Sequence, residues 1–141
     1  MEPLDLTAAP PRSPRVQLDG LAFLARTIDK MRANLPGGNS GEYHVDGMSQ
    51  RMLTIIGIDA AALQDVVARA GSEEEVVAWV RAHADASAYA KATHVMLNRA
   101  VSDIDPERRD AFAKKYPGWA AVESGKLADI IDADDAAAFS R

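Results

Sequence analysis

Apolar residues in this chain recur at three- and four-residue steps, but only in short runs, most of them closed by glycine or proline. That pattern confines the backbone to short amphipathic helices, because one apolar stripe must face a shared core and each breaker must turn the chain. Strand-like alternation is nearly absent. The expected class is therefore all-α: a compact single-domain bundle of about six to seven short helices over residues 18–141, preceded by an extended proline-rich N-terminal arm at residues 1–17.

The arm holds Pro3, Pro10, Pro11 and Pro14. Proline lacks an amide donor and pushes its predecessor toward extended conformations. This segment is either pinned to the body by Leu4 and Leu6, the reading Leu4-Asp5-Leu6 favours, or disordered. Asp19 reads as the N-cap of a first helix over residues 20–34, with Leu21, Ala25, Ile28, Met31 and Leu35 as its buried stripe. Asn34 to Gly38 ends it. Residues 37–47 are glycine-rich and irregular, with Glu42–Asp46 readable as a short extended piece.

A second helix spans residues 48–56 and stops at Gly57. Asp59 caps the third, whose Leu63, Val66, Val67 and Ala70 face inward, and Gly71 ends it. Ser72-Glu73-Glu74-Glu75 is a capping box, opening a helix with Val76, Trp79, Val80 and His83 on its inner face. A fifth helix covers residues 87–101. Asp105-Pro106 starts a sixth over residues 106–116, after which Trp119 and Val122 pack on the bundle. Lys126–Ile131 is a weak segment before a short C-terminal helix capped by Asp132.

Among 141 residues there is no cysteine, which removes disulfides, thiolate metal sites and cysteine nucleophiles. The N-terminus lacks the basic and apolar regions of a secretory signal, and no apolar run approaches a membrane span, so a cytoplasmic protein with no membrane partner is expected. A net charge of −5 argues against nucleic acid as a partner. Arg108, Arg109, Lys114 and Lys115, interleaved with Glu107 and Asp110, read as a solvated helix face.

The chain has no phosphate loop, dinucleotide fingerprint, zinc-protease motif or nucleophile elbow. No cofactor and no metal are expected. Glu42, His44 and Asp46 alternate, but a polar hairpin edge accounts for them better than a ligand set. His83 reads as a helix-end residue favoured by the dipole, and His94 as a hydrogen-bonded core or boundary histidine. Arg26, Asp29, Lys30 and Arg32 are spaced by three and four on the first helix. They form either a solvated set of ion pairs or one wall of an anion pocket, with Tyr43 and His44 of the glycine-rich loop as the other.

The arm (Leu4-Asp5-Leu6-Thr7, Pro11-Arg12-Ser13-Pro14-Arg15, Leu18-Asp19-Gly20-Leu21) resembles the opening of the bacterial domain-of-unknown-function family 5069. Ala25-Arg26-Thr27-Ile28-Asp29-Lys30-Met31-Arg32-Ala33 is similar to its first-helix motif, and Gly41-Glu42-Tyr43-His44-Val45-Asp46 to its loop. Gly57-Ile58 and Glu74–Val80 resemble its middle. The likeness is close over residues 1–84 and looser beyond. It implies that Arg12, Arg15, Arg26, Asp29, Lys30, Tyr43 and Asp46 are motif positions, and it carries no settled activity. One departure is Thr93-His94, where members often have Trp-Asn.

Three readings follow. In the first, Arg12, Arg26, Asp29, Lys30 and Tyr43 bind a small anionic metabolite between the first helix and the glycine-rich loop. In the second, the protein is a small enzyme with Lys30 as base or nucleophile and Tyr43 or His44 as acid. In the third, the arm or an apolar helix face docks a protein partner or builds a homo-oligomer.

Overall fold

The computed structural model describes residues 1–140. Among them the chain forms a two-stranded hairpin, β1 (Gln17–Leu18) and β2 (Leu21–Ala22), followed by seven α-helices. These are α1 (Leu24–Ala33), α2 (Gly47–Ile56), α3 (Ala60–Arg69), α4 (Glu73–His83), α5 (Tyr89–Asn98), α6 (Pro106–Lys115) and α7 (Leu127–Phe139). Three short 3-10 turns, Ala86–Ala88, Val101–Asp103 and Trp119–Ala121, join the later helices.

The hairpin corrects the all-α expectation: the fold is mostly helical with one small sheet. Asp19 and Gly20 have φ of 54° and 80°, the left-handed pair that closes a tight two-residue hairpin. Gln17 pairs with Ala22 and Leu18 with Leu21. Asp19 is thus a turn residue, and α1 starts at Leu24 instead of residue 20. Leu21 matched the helical spacing because it is buried in the same core from a strand. Thr93 fastens the hairpin to α5: its hydroxyl donates to the Gly20 carbonyl at 2.7 Å and accepts from the Ala22 amide at 3.0 Å.

Phe23 precedes α1 with φ 70°, a conformation that strains a bulky residue by about 1–3 kcal/mol. Its ring is buried, and its amide donates to Pro14, so the surrounding packing holds it there.

The remaining helix starts and stops follow local chemistry. Asp59 accepts from the Ala62 amide at 3.0 Å. Gly57 ends α2 in the left-handed region at φ 76°. Ser72 accepts from Glu75 at 3.3 Å, but Glu75 reaches back to the Gly71 amide, one residue earlier than a capping box requires. The C-terminal region is a single 13-residue helix that begins at Leu127. Asp132 lies inside it and is not its cap. His94 is exposed on α5, which corrects the core or boundary expectation, and its backbone carbonyl accepts from Asn98.

Helix α1 lies at the centre. Nine of its ten residues are buried, and it packs against α2, α3 and the hairpin. Its apolar residues Leu24, Ile28 and Met31 meet Leu53, Ile56, Leu63, Val67, Val76, Val80 and Met96 in the main core. A second cluster, Ile104, Leu127 and Ile130, is covered by Phe112, Trp119 and Val122. The N-terminal segment lies along this body. Asp5 bridges Asn39, with Leu6 donating to the Asn39 carbonyl at 2.8 Å, and Leu6, Pro11 and Pro14 are buried.

Candidate functional site

A central helix ordinarily carries apolar side chains, because an ionised group removed from water loses solvation that only a partner can replace. Helix α1 nevertheless buries Arg26, Asp29 and Lys30, at 3%, 5% and 9% exposure. The solvated-face account of these residues is therefore excluded. Each must be satisfied from inside, and the three are satisfied very differently.

Asp29 is held by the arm. Its carboxylate accepts from the Arg12 backbone amide at 2.8 Å and from the Arg12 side chain at 3.0 Å through both Nε and a terminal nitrogen. Arg12 also pairs with Glu73 of α4. Arg15 extends the connection to Asp129 and Asp132 on α7.

Arg26 is held by α7. It donates to Asp135 at 2.7 Å and to the Arg12 carbonyl at 3.2 Å. Asp135 is itself buried, at 6% exposure, and accepts from the Tyr43 hydroxyl at 2.8 Å. The Arg26 guanidinium lies 5.5 Å from the centre of the Tyr43 ring, within cation–π range. Burial, followed by the hydrogen bond and the charge of Asp135, holds the Tyr43 phenol protonated well above its ordinary value. Its proton is therefore committed to Asp135.

Lys30 has no carboxylate partner among the described residues. Its ammonium has one hydrogen bond there, at 3.5 Å to the hydroxyl of Ser49, a residue 1% exposed on α2. Burial is the largest influence on it, and the charges of Arg26 and Lys115 act in the same direction against Asp46 and Asp135. Together they push the amine down from 10.5 to about 8. A substantial part of Lys30 is then neutral near physiological pH, when an ordinary lysine is almost wholly protonated.

Lys30 and Arg26 border a cavity of about 580 Å³. Its other walls come from the glycine-rich loop (Glu42, Tyr43, His44), the end of α6 (Lys114, Lys115, Tyr116) and α7 (Asp134, Phe139). Four cationic side chains line it against two acidic ones. Asp134 is raised above the ordinary carboxylate range, first by burial and then by neighbouring Asp135. Burial likewise raises Tyr116.

Of the sequence candidates, Arg26, Lys30, Tyr43 and His44 meet at this cavity. Arg12 and Asp29 do not line it; they clamp each other on another side of α1. Thr93 and His94 do not line it either. Glu42, His44 and Asp46 lie in an irregular loop without strand geometry. Among the described residues no three His, Asp or Glu side chains converge as a metal-ligand group, and no helix is long and apolar enough to cross a membrane.

Sequence reasoning missed Ser49, Asp134, Asp135 and the role of Lys114 and Lys115 at the cavity rim. Asp135 did leave a signal. It follows Leu127 and Ile131 at four-residue steps, so it sits on the buried stripe of α7, a position that an unpaired carboxylate rarely occupies. Ser49 left none.

No curated protein shows a significant match to the chain. The family model described as "Domain of unknown function (DUF5069)" matches residues 8–137, which include the arm clamp, α1, the glycine-rich loop and nearly all of α7. The chain therefore belongs to the DUF5069 family.

Proposed function

We propose that this protein binds a small anionic molecule in the cavity between α1, the glycine-rich loop, α6 and α7. The observation that carries this reading is Lys30: a buried lysine without a carboxylate partner among the described residues, opening on a space of about 580 Å³. That volume is within the range of small-molecule sites. Arg26 is neutralised by Asp135, so its part is to shape the wall. Lys30 supplies the uncommitted donors, and the exposed Lys114 attracts an anion beside Lys115, which pairs with Asp46 at 3.5 Å. An anion in contact with Lys30 would compensate the amine for its lost hydration, because a nearby negative charge favours the charged form.

Isothermal titration calorimetry against acetate, oxalate, glyoxylate and inorganic phosphate tests the reading. At least one of these anions is expected to bind the wild type saturably, and tenfold or more weakly to Lys30→Met. Absence of binding by the whole panel, or equal binding to the folded variant, would overturn it.

A further inference from the structure

The geometry points to Lys30 as a nucleophilic amine that forms an imine with the carbonyl of a small aldehyde or keto compound bearing a carboxylate or phosphate. This inference deepens the anion-binding reading and rests on it.

An anion site that needed a permanent cation would be served by an arginine or by a lysine in a polar, solvated wall. Lys30 has the opposite surroundings. It is enclosed to 9% exposure, next to a guanidinium 3% exposed, and its hydrogen-bond partner is a neutral hydroxyl. These features work against the ammonium form and leave the nitrogen lone pair available, which is how a lysine becomes a nucleophile. At pH 7.5 an amine titrating near 8 is neutral roughly two hundred times more often than one titrating at 10.5. Ser49 holds the nitrogen by a single long contact, weak enough to be exchanged for a covalent bond.

The step balances without an external oxidant or reductant. The neutral Lys30 nitrogen attacks the carbonyl carbon, forming a C–N bond while the carbonyl π pair moves to oxygen. That oxygen takes one proton from nitrogen, giving a carbinolamine, and a second proton lets it leave as water while the nitrogen lone pair forms C=N. Overall, one ammonium and one carbonyl yield one protonated imine and one water. Asp134 and His44 line the same cavity and are the side chains suited to carry the protons. Tyr43 is not, because its hydroxyl donates to Asp135. Lys114, an exposed residue lining the cavity, receives the anionic group.

The test is reductive trapping at pH 7.5 with glyoxylate and, separately, pyridoxal 5′-phosphate, each with cyanoborohydride, read by intact mass and peptide mapping. Reduction turns the imine into a stable secondary amine. The expected result is one adduct, mapped to Lys30 and formed at least tenfold faster than at exposed Lys91. Lys91→Arg should leave the rate unchanged, and folded Lys30→Arg should abolish the adduct. Labelling that follows exposure alone, with Lys30 no faster than Lys91, would overturn the imine. Calorimetry with acetate and inorganic phosphate, which have no electrophilic carbonyl, separates the two ideas. Binding without trapping sinks the imine and leaves the anion site standing; trapping without such binding sinks the anion site as an independent recognition element; neither result sinks both.

Discussion

Replacing Lys30 with methionine should stabilise this protein at neutral pH, and the gain should vanish in alkali. The amine titrates near 8 in the fold and 10.5 as a free side chain. Each unit corresponds to about 1.4 kcal/mol, so burying the charged form costs roughly 3 kcal/mol. Well below pH 8 both folded and unfolded chains hold the proton, and nearly the full cost is present. Between about 8 and 10.5 the unfolded chain binds more protons than the folded one, so wild-type stability gains a rising contribution with pH. Above 10.5 both forms are neutral and the cost is gone.

Methionine follows the lysine stem as far as Cε and lacks the ammonium. It leaves the buried Ser49 hydroxyl without its partner, at a cost of about 1 kcal/mol. The variant should therefore be more stable than wild type by about 2 kcal/mol at pH 7 and less stable by about 1 kcal/mol near pH 10.5. Urea unfolding followed by tryptophan fluorescence at pH 7, 8, 9 and 10 measures this. Tyrosine ionisation contributes equally to both proteins and drops out of the difference. A variant less stable than wild type at pH 7, or a difference flat across the range, would refute the reasoning. The predicted gain also explains why Lys30 is a functional candidate: a residue that weakens the fold calls for a reason other than folding.

The other charged pairs on α1 should behave in the opposite way. Asp135→Asn leaves the buried Arg26 guanidinium without its carboxylate and should cost about 3–5 kcal/mol in urea unfolding, whereas Tyr43→Phe removes one hydrogen bond to that carboxylate and should cost about 1–2 kcal/mol; equal effects would contradict the central place of Asp135. Asp29→Ala should free the arm, so that trypsin cleaves after Arg12 or Arg15 at least several times faster than in wild type while circular dichroism retains the helices. Unchanged cleavage would mean that Arg15 and the proline contacts hold the arm unaided.

Much of the architecture was legible because helix ends are written in adjacent residues. Asp59, Ser72 and Gly57 act within three or four positions of themselves, so their effects follow from spacing. The misread elements have equally local explanations. Asp19-Gly20 is a strong hairpin signal, yet the flanking strands are two residues each, too short to show alternation, and Leu21 coincided with a helical step. Asp132 reads as a cap because capping residues and mid-helix acids share one chemistry, and continuity from Leu127 to Phe139 is decided by the burial of Ile130 and Ile131 against other elements.

The sequence by itself determined the short helices and the concentration of charge on the first long helix, since each depends on neighbours along the chain. Whether that charge faced water was a tertiary matter. Spacing places Arg26, Asp29 and Lys30 together on α1 but carries no information about what lies opposite. Folding brought Arg12 to Asp29 from 17 residues away and Asp135 to Arg26 from 109, and among the described residues gave Lys30 only a serine hydroxyl. Two buried charges were thereby neutralised and the third was left beside a cavity, because a side chain's protonation and reactivity depend on its desolvation and its neighbours in space, which no local pattern encodes.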